Sequence, residues 1–212
     1  MITYILFDLD DTLYATSAGM MHEVSARMSE YMITRLGFAP ATVDAQRKDY
    51  WARYGTTLRG LYIERHIDPQ AFLRFVHDVR VDTYLQADAR LEAMLAQMPQ
   101  RKAIFTNAPE DYAREVLRVL GVERHFETIF GINFIEYQSK PTQCAYDKVA
   151  AALPVPPNAC LMIDDTARNL VPAKKMGMTT AWLTSTADRY GDDGHTSADY
   201  TLATIYDVAK IL

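Results

Sequence analysis

The sequence predicts an α/β chain whose parallel sheet is interrupted, after the first strand, by an all-helical insertion. Three observations predict it. A short apolar run, Thr3–Leu9, ends among the carboxylates Asp8, Asp10 and Asp11. The stretch from there to Leu85 carries only helical periodicity. Beyond it, short apolar runs alternate with amphipathic stretches, the mark of parallel strands joined by right-handed crossovers.

Thr3–Leu9 is long enough for one buried strand, and Ile5 and Phe7 favour extended backbone. Ser17–Leu36 reads as a helix, because Met21, Val24, Met28, Met32 and Leu36 recur three or four apart. Ser17 is its expected N-cap and Gly37 its stop. Helices follow over Thr42–Tyr54, Leu58–His66 and Pro69–Arg80; Asp68-Pro69 opens the last, an N-cap before a proline at the first helical position. Next come a helix Ala89–Gln97, a strand Ala103–Thr106, a helix Glu110–Leu120 stopped by Gly121, and a strand Thr128–Ile132. A helix Gln143–Leu153, closed by the loop Pro154-Val155-Pro156-Pro157, leads to a strand Cys160–Asp164. A helix Ala167–Met176, stopped by Gly177, leads to a strand Thr179–Leu183. Ser185–Ser197, rich in Gly, Asp, Ser and Thr, reads as a surface loop. Asp199–Leu202 and Ile205–Leu212 finish as a short strand and a helix. The expected division is residues 1–14 and 87–212 as the α/β core and 15–86 as a helical cap over the sheet edge.

A chain of 212 residues can bury a core without disulfides or a structural metal. With 49% hydrophobic and 23% charged residues it is not a disordered chain. Its net charge is −5 and no Lys/Arg run exceeds two residues, which argues against a nucleic-acid polymer as partner. No apolar run approaches the ~18 residues of a membrane helix. Met1-Ile2-Thr3-Tyr4 has no basic region and no long apolar stretch, so no signal peptide is expected. Cys144 and Cys160 form no metal or redox motif and read as reduced thiols of a cytoplasmic protein, monomer or homodimer.

Each strand ends on a polar group: Asp8 and Asp10, then Thr106 and Asn107, then Asp164 and Asp165, with Lys140 in the loop after the third strand. In a parallel sheet these ends share one rim. Four carboxylates on one rim repel unless a cation neutralises them, and hard oxygen donors suit Mg²⁺ rather than Zn²⁺. Lys140 and Thr106 can hold an anionic substrate, phosphate being the obvious one. One carboxylate can attack phosphorus. Another, two residues on, can protonate the leaving oxygen and then activate water.

These residues carry a family resemblance. Phe7-Asp8-Leu9-Asp10-Asp11-Thr12-Leu13 resembles the first motif of the haloacid dehalogenase-like hydrolases, and Ile104-Phe105-Thr106-Asn107 the second. Lys140-Pro141 resembles the third, followed by Thr142-Gln143 where an acid is common, and Met162-Ile163-Asp164-Asp165-Thr166 the fourth. The resemblance implies a Rossmann-like core with an inserted helical cap. It implies Asp8 as nucleophile, and Asp10 as general acid/base whose backbone carbonyl also ligates Mg²⁺. It implies phosphoryl binding by Thr106, with Asn107 beside it, and Lys140. Asp165 would ligate the metal directly, and Asp164 through water or by orienting the site; that division stays open.

Tyr54-Gly55-Thr56-Thr57-Leu58-Arg59-Gly60-Leu61, Phe75-Val76-His77-Asp78, Arg101–Ala108 and Asp165–Leu170 are similar to the pyrimidine 5′-nucleotidase branch. Tyr54, Leu58 and Leu61 form a helical stripe and read as cap core, which leaves Thr57 and Arg59 to face the site. His66 and His77 read as structural histidines, and Cys160 as a small core residue. The implied activity is Mg²⁺-dependent hydrolysis of UMP or CMP through an aspartyl-phosphate. The alternatives are a phosphatase for another small phosphate monoester, such as phosphoglycolate or a sugar phosphate, a 2-haloacid dehalogenase, or a silent nucleotide-binding relic. Asp10 argues against the dehalogenase, and the full set of motif acids against the relic.

Overall fold

An apolar tetrapeptide that can hide both its faces belongs in the middle of a parallel sheet. Tyr4–Phe7 (β1) lies there in the computed structural model, which describes residues 1–184 and 198–212. The other strands are Arg101–Phe105 (β2), Thr128–Phe130 (β3), Cys160–Asp164 (β4), Thr179–Leu183 (β5) and Tyr200–Leu202 (β6). All pair in parallel, in the order β3-β2-β1-β4-β5-β6. The strand order reverses between β1 and β4, so their carboxyl ends flank a crevice.

The helices are Met20–Leu36 (α1), Val43–Tyr54 (α2), Thr57–Arg65 (α3), Pro69–Val76 (α4), Val81–Tyr84 (α5), Ala89–Gln97 (α6), Glu110–Leu120 (α7), Gln143–Ala152 (α8) and Ala167–Lys175 (α9). Strand periodicity sends Ile5, Phe7, Ile104 and Ile163 to one sheet face, against Leu95 of α6 and Val116 of α7. Leu6, Phe105 and Met162 go to the other, against Tyr146 of α8 and Leu170 of α9. That second apolar layer continues into the helical block through Met32, Tyr50, Leu61 and Phe72. Inside the block the Tyr31 ring meets Phe72 and Phe75 edge-on, with centroids 5.2 and 5.4 Å apart.

The strands fall within two residues of their expected bounds, and the helices differ by more than one residue at three places. Ser17 does not cap α1; it lies in a short 3₁₀ turn, Thr16–Ala18, and Gly19, with φ of 82°, ends that turn and starts the helix. The expected helix Pro69–Arg80 stops after Val76 and restarts at α5. Its two ends answer to different cores: Val76 packs with the helical block, whereas Val81 and Leu85 join the sheet-face layer together with Met20. The C-terminal helix is a 3₁₀ segment, Ile205–Lys210, opened by a capping box between Thr204 and Asp207. The expected loop Ser185–Ser197 lies outside the described residues. Among the described residues, no helix is long and apolar enough to cross a membrane.

Candidate active site

The carboxyl ends of β1, β2 and β4 bring Asp8, Thr106 and Asp164 together, and the loop before α8 lowers Lys140 between them. The Asp8 N–H donates to the Ile163 carbonyl at 2.9 Å, which locks the two strand ends in register. Lys140 is 1% exposed, and its Nζ donates to Asp8 Oδ1 at 2.7 Å and Asp164 Oδ2 at 2.6 Å. Burial alone would lower the ammonium's pKa. The carboxylates of Asp164 and Asp8 outweigh that and hold it above its ordinary value, so Lys140 stays charged.

One carboxylate oxygen from each of Asp8, Asp164 and Asp165 falls within 4.8 Å of the others. Among the described residues this cluster joins three carboxylates and the Lys140 ammonium. Its all-oxygen donor set fits a hard divalent cation such as Mg²⁺. The two acids of β4 are held differently. Asp164 is fully buried and also accepts from the Thr166 N–H at 2.9 Å and from Asn169 Nδ2 at 3.0 Å. Asp165 is only half-buried and lies on the wall of the cavity over the sheet edge.

Asp10 stands apart from the cluster. Tyr14 and Tyr112 both donate to its Oδ1, at 2.5 and 3.0 Å. Burial pushes its carboxyl up to about 6; the Tyr14 bond opposes this and the Asp8 charge adds to it. Burial and the Asp10 charge push both phenols well above their ordinary value, so they remain donors. Behind Tyr112, centroid to centroid at 4.7 Å, lies His77, whose Nδ1 donates to the Leu73 carbonyl at 3.1 Å. Burial pulls that imidazole down to about 4 and keeps it neutral.

Thr106 is 1% exposed, and its hydroxyl accepts from the Ala108 N–H at 3.0 Å. Asn107 reaches the cavity wall, but its amide is engaged elsewhere. Nδ2 donates to the Lys140 carbonyl at 3.2 Å and Oδ1 accepts from the Lys140 N–H at 2.8 Å, so Asn107 clamps the lysine's backbone.

The cavity measures about 530 Å³ and lies between this rim and the helical block. Thr57 is on its wall. Arg59 is not; it reaches the Tyr137 carbonyl at 3.4 Å and lies 6.0 Å from the Tyr62 ring centroid. The side toward the helical block is instead made by Met21, Met28, Arg47, Trp51 and Phe72. Arg47 donates to the hydroxyls of Ser25 and Ser29 at 2.7 and 2.9 Å. From the core, Arg168 lays its guanidinium 3.2 Å over the Trp51 ring and donates to the Gly55 carbonyl at 2.9 Å. Sequence reasoning singled out neither Arg47 nor Trp51, and gave no role to Tyr14 or Tyr112. The signal available for the tyrosines was weak: Tyr14 falls four residues after Asp10, and Tyr112 on the first turn of the helix after Thr106.

Residues 2–177 match the family model described as haloacid dehalogenase-like hydrolase. Phosphate metabolism protein 8 of Saccharomyces cerevisiae is 26% identical over 191 residues, covering 81% of this chain and 58% of the yeast protein. This chain thus spans less than two thirds of that relative. The phosphoglycolate phosphatase of Colwellia psychrerythraea is 25% identical over 213 residues, covering 89% of this chain and 87% of that enzyme. Among solved structures, a HAD phosphatase from Thermococcus onnurineus superposes with a TM-score of 0.66 at 21% identity, covering 99% and 97% of the two chains. L-2-haloacid dehalogenase from Xanthobacter autotrophicus superposes at 0.62 and 16% identity, covering 100% and 98%. At these identities the structural likenesses show the fold.

Proposed function

The chain belongs to the haloacid dehalogenase-like hydrolases, and from that membership we propose that it is a Mg²⁺-dependent phosphomonoesterase acting on pyrimidine nucleoside 5′-monophosphates. The observation that carries the reading is the pairing of two differently held carboxylates on one strand exit. Asp8 accepts from the Lys140 ammonium at 2.7 Å, whereas Asp10 meets two phenols and is pushed up to about 6 by burial. One is suited to attack and the other to carry a proton. A halide leaves without a proton, so a dehalogenase has no use for the second group; an alkoxide leaving a phosphate ester does.

In this reading Asp8 attacks phosphorus and the leaving oxygen departs with the proton of Asp10. Asp10 then takes a proton from the water that attacks the aspartyl-phosphate, which returns Asp8 and releases phosphate. Lys140 and the Thr106 hydroxyl hold the phosphoryl oxygens, and Asn107 serves by fixing Lys140. Asp8, Asp165 and the Asp10 carbonyl would hold Mg²⁺, with Asp164 orienting the set; the half-buried position of Asp165 on the cavity wall supports that division. The bound metal would neutralise charge at the phosphate and the carboxylates. Residues 15–86 act as the cap, anchored to the core by Met20, Val81 and Leu85.

The cavity supports a nucleoside over a two-carbon acid. Its volume of about 530 Å³ suits a drug-sized ligand. Trp51, Phe72 and Arg47 stand on its wall, so an aromatic and cationic lining faces the sheet edge. Phosphate release from UMP, CMP, TMP, AMP, GMP, phosphoglycolate, glucose 6-phosphate and p-nitrophenyl phosphate, with Mg²⁺ at pH 7, tests this. UMP and CMP should lead the purine nucleotides by at least ~10-fold, about 1.4 kcal/mol of transition-state discrimination. Asp8→Asn or EDTA should abolish release. A lead for phosphoglycolate or a sugar phosphate would overturn the pyrimidine assignment and keep the phosphatase. Turnover by Asp8→Asn would overturn the mechanism.

A further inference from the structure

We infer that Tyr14 and Tyr112 are positioning residues that aim Asp10 at the leaving oxygen, by fixing which of its two carboxyl oxygens carries the proton. Both phenols donate to the same atom, Oδ1, at 2.5 and 3.0 Å. Among the described residues no hydrogen bond reaches Oδ2. A protonated carboxyl has one oxygen that only accepts and one that donates. Two donors on Oδ1 make it the accepting oxygen and leave Oδ2 to hold the proton. The inference rests on the phosphomonoesterase reading.

The local backbone is bent to allow this. Asp11 adopts a left-handed φ of 58°, and the N–H of Leu13 folds back to the Leu9 carbonyl at 2.9 Å. The turn returns Tyr14 onto Asp10, four residues behind it. Tyr112 comes to the same oxygen from the first turn of α7, and its ring is braced by His77 of the helical block. The two tyrosines are 7% and 6% exposed, so neither phenol is positioned by solvent. In the transfer, the P–O bond to the leaving alcohol breaks, its electron pair stays on that oxygen, and the proton moves to it from Asp10 Oδ2. Asp10 is left as a carboxylate, which water reprotonates while hydrolysing the aspartyl-phosphate.

A group that only filled space would affect all substrates alike; a group that aims the acid matters most where the leaving oxygen needs a proton. The test compares kcat/KM for p-nitrophenyl phosphate, phenyl phosphate and an alkyl monoester in the wild type, Tyr14→Phe and Tyr112→Phe, since kcat/KM reports the steps up to departure of the alcohol. General acid catalysis contributes about 10²- to 10⁴-fold, so partial misalignment should raise the p-nitrophenyl-to-alkyl ratio by at least ~10-fold in each variant. In an Asp10→Asn background the same Tyr→Phe changes should leave that ratio where Asp10→Asn alone puts it. An equal loss on all three esters, or an unchanged ratio in both folded variants, would overturn the inference and leave the phosphatase reading intact. A wild type that hydrolyses none of them would overturn both.

Discussion

Lys140 keeps two buried carboxylates compatible by sitting between them. Removing its charge leaves Asp8 and Asp164 facing each other without the ion-pair partner that joins them among the described residues. Breaking a buried ion pair by deleting one partner typically costs about 3–5 kcal/mol, far more than the packing change of Lys→Met. Lys140→Met should therefore lower the urea midpoint of the metal-free protein at pH 7 by an amount of that order, and an unchanged midpoint would show that Lys140 contributes only to turnover. At this scale the sequence was legible where chemistry coincides with punctuation. Asp8, Thr106 and Asp164 each end or follow an apolar run, so their convergence followed from a parallel sheet alone. Tyr14, Tyr112 and Arg47 carry no such mark, since an aromatic or an arginine on a helix has many bland uses. Arg59 misled because lying off an apolar stripe says only that a side chain is free to turn elsewhere, and it turns to the Tyr137 carbonyl.

At the scale of elements, α2 and α3 approach so closely that Gly60 is the only residue the contact admits. A Cβ there would lie 2.4 Å from the Tyr50 ring. Alanine in a helix interior gains about 0.5–1 kcal/mol over glycine, but overpacking a core costs about 1–3 kcal/mol. Sterics should win, so Gly60→Ala should lower the thermal midpoint by several degrees; a raised midpoint would show that the two helices yield. The end of α4 carries a pH dependence. His77 titrates at 6.5 when exposed and near 4 when folded. Between those values the unfolded chain binds a proton that the folded chain refuses, so this contribution to stability is whole above about pH 6.5 and falls as pH drops toward 4. The loss approaches about 1.4 kcal/mol per pH unit within that window. His77→Gln should flatten the dependence of the thermal midpoint between pH 7 and 5, and an unchanged slope would place the acid sensitivity elsewhere. Helices with one apolar anchor set, such as α6 and α7, have the bounds that their periodicity predicts. The break after Val76 was not legible, because its cause is that neighbouring apolar residues join different cores.

For the molecule as a whole, the seam between helical block and sheet edge decides whether the site is complete. At Gly55, with φ of 91°, a Cβ would lie 2.8 Å from both the Lys140 carbonyl and Pro141 Cδ, while the Gly55 carbonyl accepts from Arg168. Gly55→Ala must push the block away from the loop that carries Lys140. Small misplacements can cost on the order of 10²-fold in rate, so kcat/KM for the preferred ester should fall at least ~10-fold with helical content by circular dichroism unchanged. Wild-type kinetics in this variant would show that the seam has slack. Alternation of strands and helices predicted the sheet and its insertion; the shape of the seam depends on contacts between residues far apart in sequence, such as Gly55 with Lys140 and Arg168, and left no periodic trace.

The central position of β1 has a consequence in time. Tyr4–Phe7 leaves the ribosome before both of its neighbours, β2 and β4, with Tyr4 aligned to Arg101 and Cys160. The strand that ends best protected therefore waits longest with unpaired edges, the exposure that invites aggregation in a growing chain. Asp8 meets neither Lys140 nor Asp164 until most of the chain has been made. The site is thus finished by late arrivals, and a chain interrupted before β4 carries Asp8 without the Asp164 that shares its lysine.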